Sequence, residues 1–272
     1  MHRIEKVVAA CQDRETGDLL QAGCRAALTA GSIIRELYSK PHTIRKKGAI
    51  DLVTEADVAA ETAIISSLQE DAPGIEILAE ESAGERQEMV AGRAWIIDPL
   101  DGTTNFAHGF PYFGVSIALV DGERPILGVV HCPMQDELFA AAAGAGSWLN
   151  GDRVRVSETA FLLEALVGTG FPYDIHSHLD TILEDLRSIL PKVRDIRRAG
   201  AAAVDLAYLA CGRLDGFWEI GLKPWDTAAG WLLVTEAGGE LSDFGGAPFS
   251  PFQPEILASN GILHGQLREL IG

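Results

Sequence analysis

The segment Trp95-Ile96-Ile97-Asp98-Pro99-Leu100-Asp101-Gly102-Thr103-Thr104-Asn105-Phe106 constrains this chain more than any other. An apolar run that reads as a strand ends in Asp98, and a second aspartate follows three positions later. Pro99 stiffens the link and Gly102 permits a tight backbone. Two carboxylates held this close repel each other unless positive charge lies between them. A hard divalent cation meets that need, because Mg²⁺ takes oxygen ligands. The N–H groups and hydroxyls of Gly102-Thr103-Thr104 follow at once, and a helix beginning there would favour a phosphate. A bare D-x-x-D-G is more often a turn whose acids cap a helix, so the reading depends on the other acids.

Three further acidic pieces stand out. Leu78-Ala79-Glu80-Glu81-Ser82 again places acids at the end of an apolar strand, although alone it reads as a solvated loop. In Lys223-Pro224-Trp225-Asp226-Thr227-Ala228-Ala229, Asp226 alone reads as an N-cap for the following helix. In Asp51-Leu52-Val53-Thr54-Glu55-Ala56-Asp57, either Thr54 or Asp57 starts a helix.

Around these pieces the pattern is mixed. Helical spacing is expected from about Leu19 to Leu37, and from near Asp57 through Leu68 to a stop at Pro73-Gly74. Short strands are expected at 75–79, 94–97, 113–120 and 126–131, with Asp121-Gly122 turning the last pair into a hairpin. Further on, strands are expected near 165–167, 193–197, 214–219 and 255–258. Helices are expected over 177–190, 201–210 and 227–237, the last stopped by Gly238-Gly239, and at the C-terminus. The first half therefore reads as α+β and the second as α/β. A boundary near residues 150–165 divides an N-terminal half, 1–155, from a C-terminal half, 156–272.

Charge narrows the function. With 22 basic against 39 acidic residues the net charge is −17, which disfavours direct binding to a nucleic-acid backbone. No apolar run is long enough to span a bilayer, and the N-terminal residues do not read as a signal peptide. The four cysteines are scattered without a C-x-x-C pair, which fits reduced thiols in the cytoplasm.

Taken together and in this order, the four acidic pieces resemble the inositol monophosphatase family, within a superfamily of Mg²⁺-dependent, lithium-sensitive phosphatases. D-P-L-D-G-T-T-N-F and the later W-D-T-A-A-G with E-A-G-G (Trp225 to Gly239) are similar to its two signatures, and the resemblance runs from about Leu19 to the C-terminus. Residues 1 to about 18 match nothing comparable. Thr104-Asn105-Phe106, His108 and Pro111 look like the inositol branch. The resemblance implies a layered αβαβα sandwich of the inositol monophosphatase / fructose-1,6-bisphosphatase type and a homodimer. It also implies hydrolysis of inositol monophosphate by direct in-line attack of an activated water. Phosphatase activity on fructose-1,6-bisphosphate or on a nucleotide or cofactor phosphate stays open. So does the added protein-binding role in ribosomal RNA transcription that some bacterial members carry.

Carried over residue by residue, the resemblance gives one Mg²⁺ to Glu80, Asp98 and the Leu100 carbonyl, and a second to Asp98, Asp101 and Asp226. It allows a third, looser ion near Glu80. Glu80 and Thr103 would orient the water, with Asp51 polarising Thr103, while the N–H groups of Gly102 and Thr103 would hold phosphate. Glu219 would accept ring hydroxyls of a polyol, and Gly200, Ala201 and Ala202 would let backbone approach the ring. Arg197 and Arg198 are open between aiding a phosphate, facing solvent and meeting another subunit. His108 reads as a structural hydrogen-bonder, and Trp95, Trp225 and Trp231 as core.

Overall fold

The computed structural model describes residues 3–40, 44–46, 52–83 and 92–272. A short helix α1 (Glu5–Ala10) leads into α2 (Arg14–Tyr38), whose first turn is closed by the Asp13 carboxylate accepting from Thr16 N at 2.8 Å. Leu20, Ala27 and Ile34 recur every seven residues and are all buried. A small hairpin, β1 (Ile44–Lys46) with β2 (Leu52–Thr54), precedes α3 (Glu55–Asp71). Thr54 caps α3 in a box with Asp57, so the helix starts two residues before the expected Asp57.

The larger sheet is then laid down in sequence: β3 (Glu76–Ala79), the turn of helix α4 (Glu80–Ala83), β4 (Arg93–Asp101), helix α5 (Thr103–Ala107), β5 (Gly114–Asp121), β6 (Arg124–Cys132), β7 (Glu137–Ala142), β8 (Gly146–Leu149) and β9 (Asp152–Val154). Its seven strands lie in chain order, with β3 parallel to β4 and every later pair antiparallel. After a 3₁₀ turn (Leu162–Glu164) come β10 (Leu166–Thr169), α6 (Ile175–Ile189), β11 (Asp195–Arg197), α7 (Ala202–Ala210), β12 (Gly216–Ile220), α8 (Pro224–Glu236), β13 (Glu240–Ser242), β14 (Glu255–Ser259) and α9 (His264–Arg268). The second sheet has the order β11-β10-β12-β14-β13 and is mixed: β10 is parallel to both β11 and β12, and β14 runs antiparallel to both its neighbours.

Side-chain alternation along β4 shows why the layers stack as they do. Trp95 and Ile97 pack with Leu20, Ile34 and Ile64 of α2 and α3. Ala94 and Ile96 face the other way, into a core with Leu206 of α7, Leu233 of α8 and Phe217 of β12. A third cluster places Ile189 of α6 and Leu267 of α9 on the far face of the second sheet, against Val167, Trp218 and Leu257. The result is the expected αβαβα layering, with α7 and α8 enclosed between two sheets. Their packing needs small side chains, since a Cβ on Gly128 of β6 would lie 2.7 Å from Ala229 O of α8. Among the described residues no helix is long and apolar enough to cross a membrane.

Candidate active site

The acids of β4 are set by an interruption of its ladder. Asp98 still pairs with Ser116 of β5, but the register shifts between Asp98 and Asp101. Asp98 Oδ1 accepts from Leu100 N at 2.9 Å, which folds the strand end back on itself. Gly102 then adopts φ +92°, and the chain enters α5. A Cβ at 102 would lie 3.1 Å from Tyr112 O and 3.2 Å from the Ala201 side chain, so glycine serves both the turn and the close approach of a neighbouring loop.

Other layers bring the remaining groups to this turn. Glu80 opens α4, and Glu81 N donates to the buried Glu61 of α3 at 2.9 Å. Asp226 does not take the N-cap place that its segment alone would give it: Lys223 occupies that position, and Asp226, three residues in, accepts from Lys223 N at 2.6 Å. Asp101 Oδ2 accepts from Ala203 N and Val204 N, at 2.8 and 3.3 Å, at the start of α7. Asn105 Nδ2 donates to Tyr112 O at 2.7 Å and Ala199 O at 2.9 Å, tying the α5 turn to the loop before α7.

One cavity of about 520 Å³ collects these parts. Its walls include Glu80, Asp98, Leu100, Asp101, Gly102, Thr103, Gly200, Ala201, Ala202, Glu219 and Asp226. Arg198, stacked on Phe171 at 5.1 Å, also faces it, whereas Arg197 is exposed and pairs with Asp195 at 2.6 Å. Trp95 is core, Trp225 is buried yet touches the cavity, and Trp231 packs edge-on against Phe249. His108 is exposed, its Nδ1 2.8 Å from Thr104 O.

Asp51, the expected partner of Thr103, lies outside the described residues. The carboxylate that meets the Thr103 hydroxyl is Asp57, whose Oδ1 accepts from Thr103 Oγ1 at 2.8 Å. Its other oxygen accepts from Thr54 N and Thr54 Oγ1, at 2.7 and 2.6 Å. The sequence shows Asp57 as a helix-starting acid, and that accounts for only one of its two oxygens. Thr103 Oγ1 also lies 3.0 Å from Leu100 O, so its single proton chooses between two acceptors.

Electrostatics argue for a cation here. Burial, and then the charges of Glu80, Asp101 and Asp226, hold the Asp98 carboxyl well above the usual carboxylate range. Burial and the nearby Asp205 push Asp101 up to about 7. Glu219 is raised well above its usual value by burial and by Asp226 and Asp205, and among the described residues its carboxylate accepts no hydrogen bond. The acids line a shared cavity without closing on each other: among the described residues no three His, Cys, Asp or Glu side chains form a ready metal cluster. All-oxygen donors of net negative charge suit a hard divalent ion.

A profile described as the inositol monophosphatase family matches residues 16–272. The chain belongs to the inositol monophosphatase family. Members of that family are generally metal-dependent, in keeping with the oxygen-rich cavity. The chain is 43% identical over 272 residues to an inositol-1-monophosphatase of Synechocystis sp., covering 100% of this chain and 94% of that one. It is 44% identical over 244 residues to the Nus factor SuhB of Escherichia coli (strain K12), covering 89% of this chain and 91% of that protein. Among solved structures, the extragenic suppressor protein suhB from Bartonella henselae aligns with a TM-score of 0.86 at 39% identity, covering 93% of this chain and 97% of that one.

Proposed function

We propose that this chain is a Mg²⁺-dependent phosphatase that hydrolyses inositol monophosphate to myo-inositol and phosphate. The observation that carries this is a cavity lined both by an acidic, metal-suited set and by the buried Glu219 carboxylate, which accepts no hydrogen bond among the described residues. Glu80, Asp98, the Leu100 carbonyl, Asp101 and Asp226 would hold two ions, with room for a looser third near Glu80. When bound, Mg²⁺ supplies the positive charge that lets a phosphate dianion enter and makes water nucleophilic near neutral pH.

The chain's own groups do the rest. Thr103 and Glu80 orient the attacking water, and Asp57 fixes the Thr103 hydroxyl. The N–H groups of Gly102 and Thr103 face the phosphate. Ala201 and Ala202, with Gly200, offer backbone to the ring, and Glu219 accepts two neighbouring ring hydroxyls. The Synechocystis relative, named inositol-1-monophosphatase and matched over 94% of its length, supports the substrate. Rates on a panel holding inositol 1-phosphate, fructose-1,6-bisphosphate and nucleotide phosphates test it: a preference for another ester overturns the inositol assignment.

We place the enzyme in the cytoplasm as a homodimer. Its four cysteines are free thiols, in keeping with a reducing compartment. A monomeric mass by light scattering at micromolar concentration would count against the dimer. The SuhB relatives support an added protein-binding role, which a pull-down from native lysate with and without Mg²⁺ tests.

Metal removal gives a two-part expectation. Activity vanishes with a chelator, returns with Mg²⁺ and is inhibited by Li⁺; undiminished turnover after exhaustive chelation sinks the metal reading. Stability follows the raised carboxyl groups. Asp57, Asp98, Asp101, Asp205 and Glu219 all hold protons more tightly in the folded chain than in the unfolded one. Their contribution is complete below about pH 4, where both states are protonated, and is lost as pH rises towards 7. In chelator, Tm should therefore fall between about pH 5 and pH 7.5. Mg²⁺ at roughly 100 times its Kd should raise Tm by about 5–10 °C, most at the upper end. A Tm that climbs with pH in chelator is the contrary result.

A further inference from the structure

The parallel register of β10 with β12 pairs Thr169 with Trp218, so the next residues along, Gly170 and Glu219, fall side by side. Glycine at 170 is not demanded by the backbone, which lies outside the left-handed region. It is demanded by space. A Cβ at 170 would lie 2.1 Å from Glu219 Oε2 and 2.2 Å from both Glu219 Cδ and Oε1. These are the three nearest atoms it would meet, and all belong to one carboxylate.

Glu219 lines two spaces, and one is a crevice of about 10 Å³ whose walls include Gly170, Ile182, Asp185 and Trp218. A single water needs about that much room, and a carboxylate needs more. The other is the cavity of about 520 Å³. A side chain at 170 would therefore drive the Glu219 carboxylate into the space where a polyol ring would sit. We infer that Gly170 is the positioning residue that seats Glu219 and so sets the enzyme's selectivity for a hydroxylated ring. The inference rests on the reading of Glu219 as the acceptor of ring hydroxyls.

The test is a double-mutant cycle on the full chain with Mg²⁺, read as the ratio of kcat/KM on inositol 1-phosphate to that on p-nitrophenyl phosphate. Gly170→Ala should lower this ratio about 10-fold or more, as expected when a hydrogen bond to a charged acceptor is lost. Added to Glu219→Ala, it should change the ratio by less than about 2-fold, because no carboxylate remains to be displaced. A Gly170→Ala loss that is equal on both substrates, or that persists in full beside Glu219→Ala, overturns the inference. So does a variant unfolded at assay temperature, since Gly170 would then serve the fold. If Glu219→Ala alone leaves the ratio unchanged, the reading of Glu219 fails instead.

Discussion

Asp101→Asn should lower kcat on every substrate by about 10²- to 10³-fold, the scale set by removing one preorganised charge-stabilising group from an active site. The substitution keeps the shape of the side chain. An asparagine oxygen can still accept from Ala203 N and Val204 N, so the start of α7 stays in place. What is lost is one negative charge in the proposed metal wall. Because the leaving oxygen gains charge only towards the transition state, the loss should fall on kcat more than on KM. Inositol 1-phosphate and p-nitrophenyl phosphate should suffer alike. A variant with near-normal kcat and full Mg²⁺ dependence would remove Asp101 from the metal site.

Glu219→Gln should act differently on the two substrates. The acids of β4 are untouched, but the charge proposed to accept ring hydroxyls is gone. Hydrogen bonds to charged acceptors contribute roughly 1.5–3 kcal/mol each, so kcat/KM on inositol 1-phosphate should fall about 10-fold or more. p-Nitrophenyl phosphate lacks those hydroxyls and should respond far less. Equal damage on both would assign Glu219 to the catalytic or structural machinery. Asp101→Asn and Glu219→Gln thus form a crossed pair, one striking chemistry and the other recognition.

Much of the architecture could be read from the chain because its strands are short, apolar and punctuated. The β5–β6 hairpin follows from Asp121-Gly122, and the end of α8 from Gly238-Gly239. By contrast β7, β8 and β9 were not legible. Ala140-Ala141-Ala142 carries weak strand preference, and the two strands that follow β7 are only 4 and 3 residues long. Within the site, the residues on β4 announced themselves because acids on an apolar strand demand an explanation. Asp57 did not, because capping a helix is a sufficient local role for it and the bond to Thr103 spans 46 residues. Gly170 carried no local signal at all: its neighbour Glu219 is 49 residues away and meets it only through the pairing of β10 with β12.

The two sheets also divide the labour. Asp98 and Asp101 belong to the larger sheet, while Glu219 belongs to the smaller one and Gly170 directly follows its strand β10. A substitution in β12, or in the residues that follow β10, can therefore reshape which ester is accepted without moving a β4 acid. On the proposed roles, selection can explore new substrates through the smaller sheet while the two β4 acids stay constant. A lineage built this way can diversify its metabolic uses through the smaller sheet and still inherit one unchanged reaction.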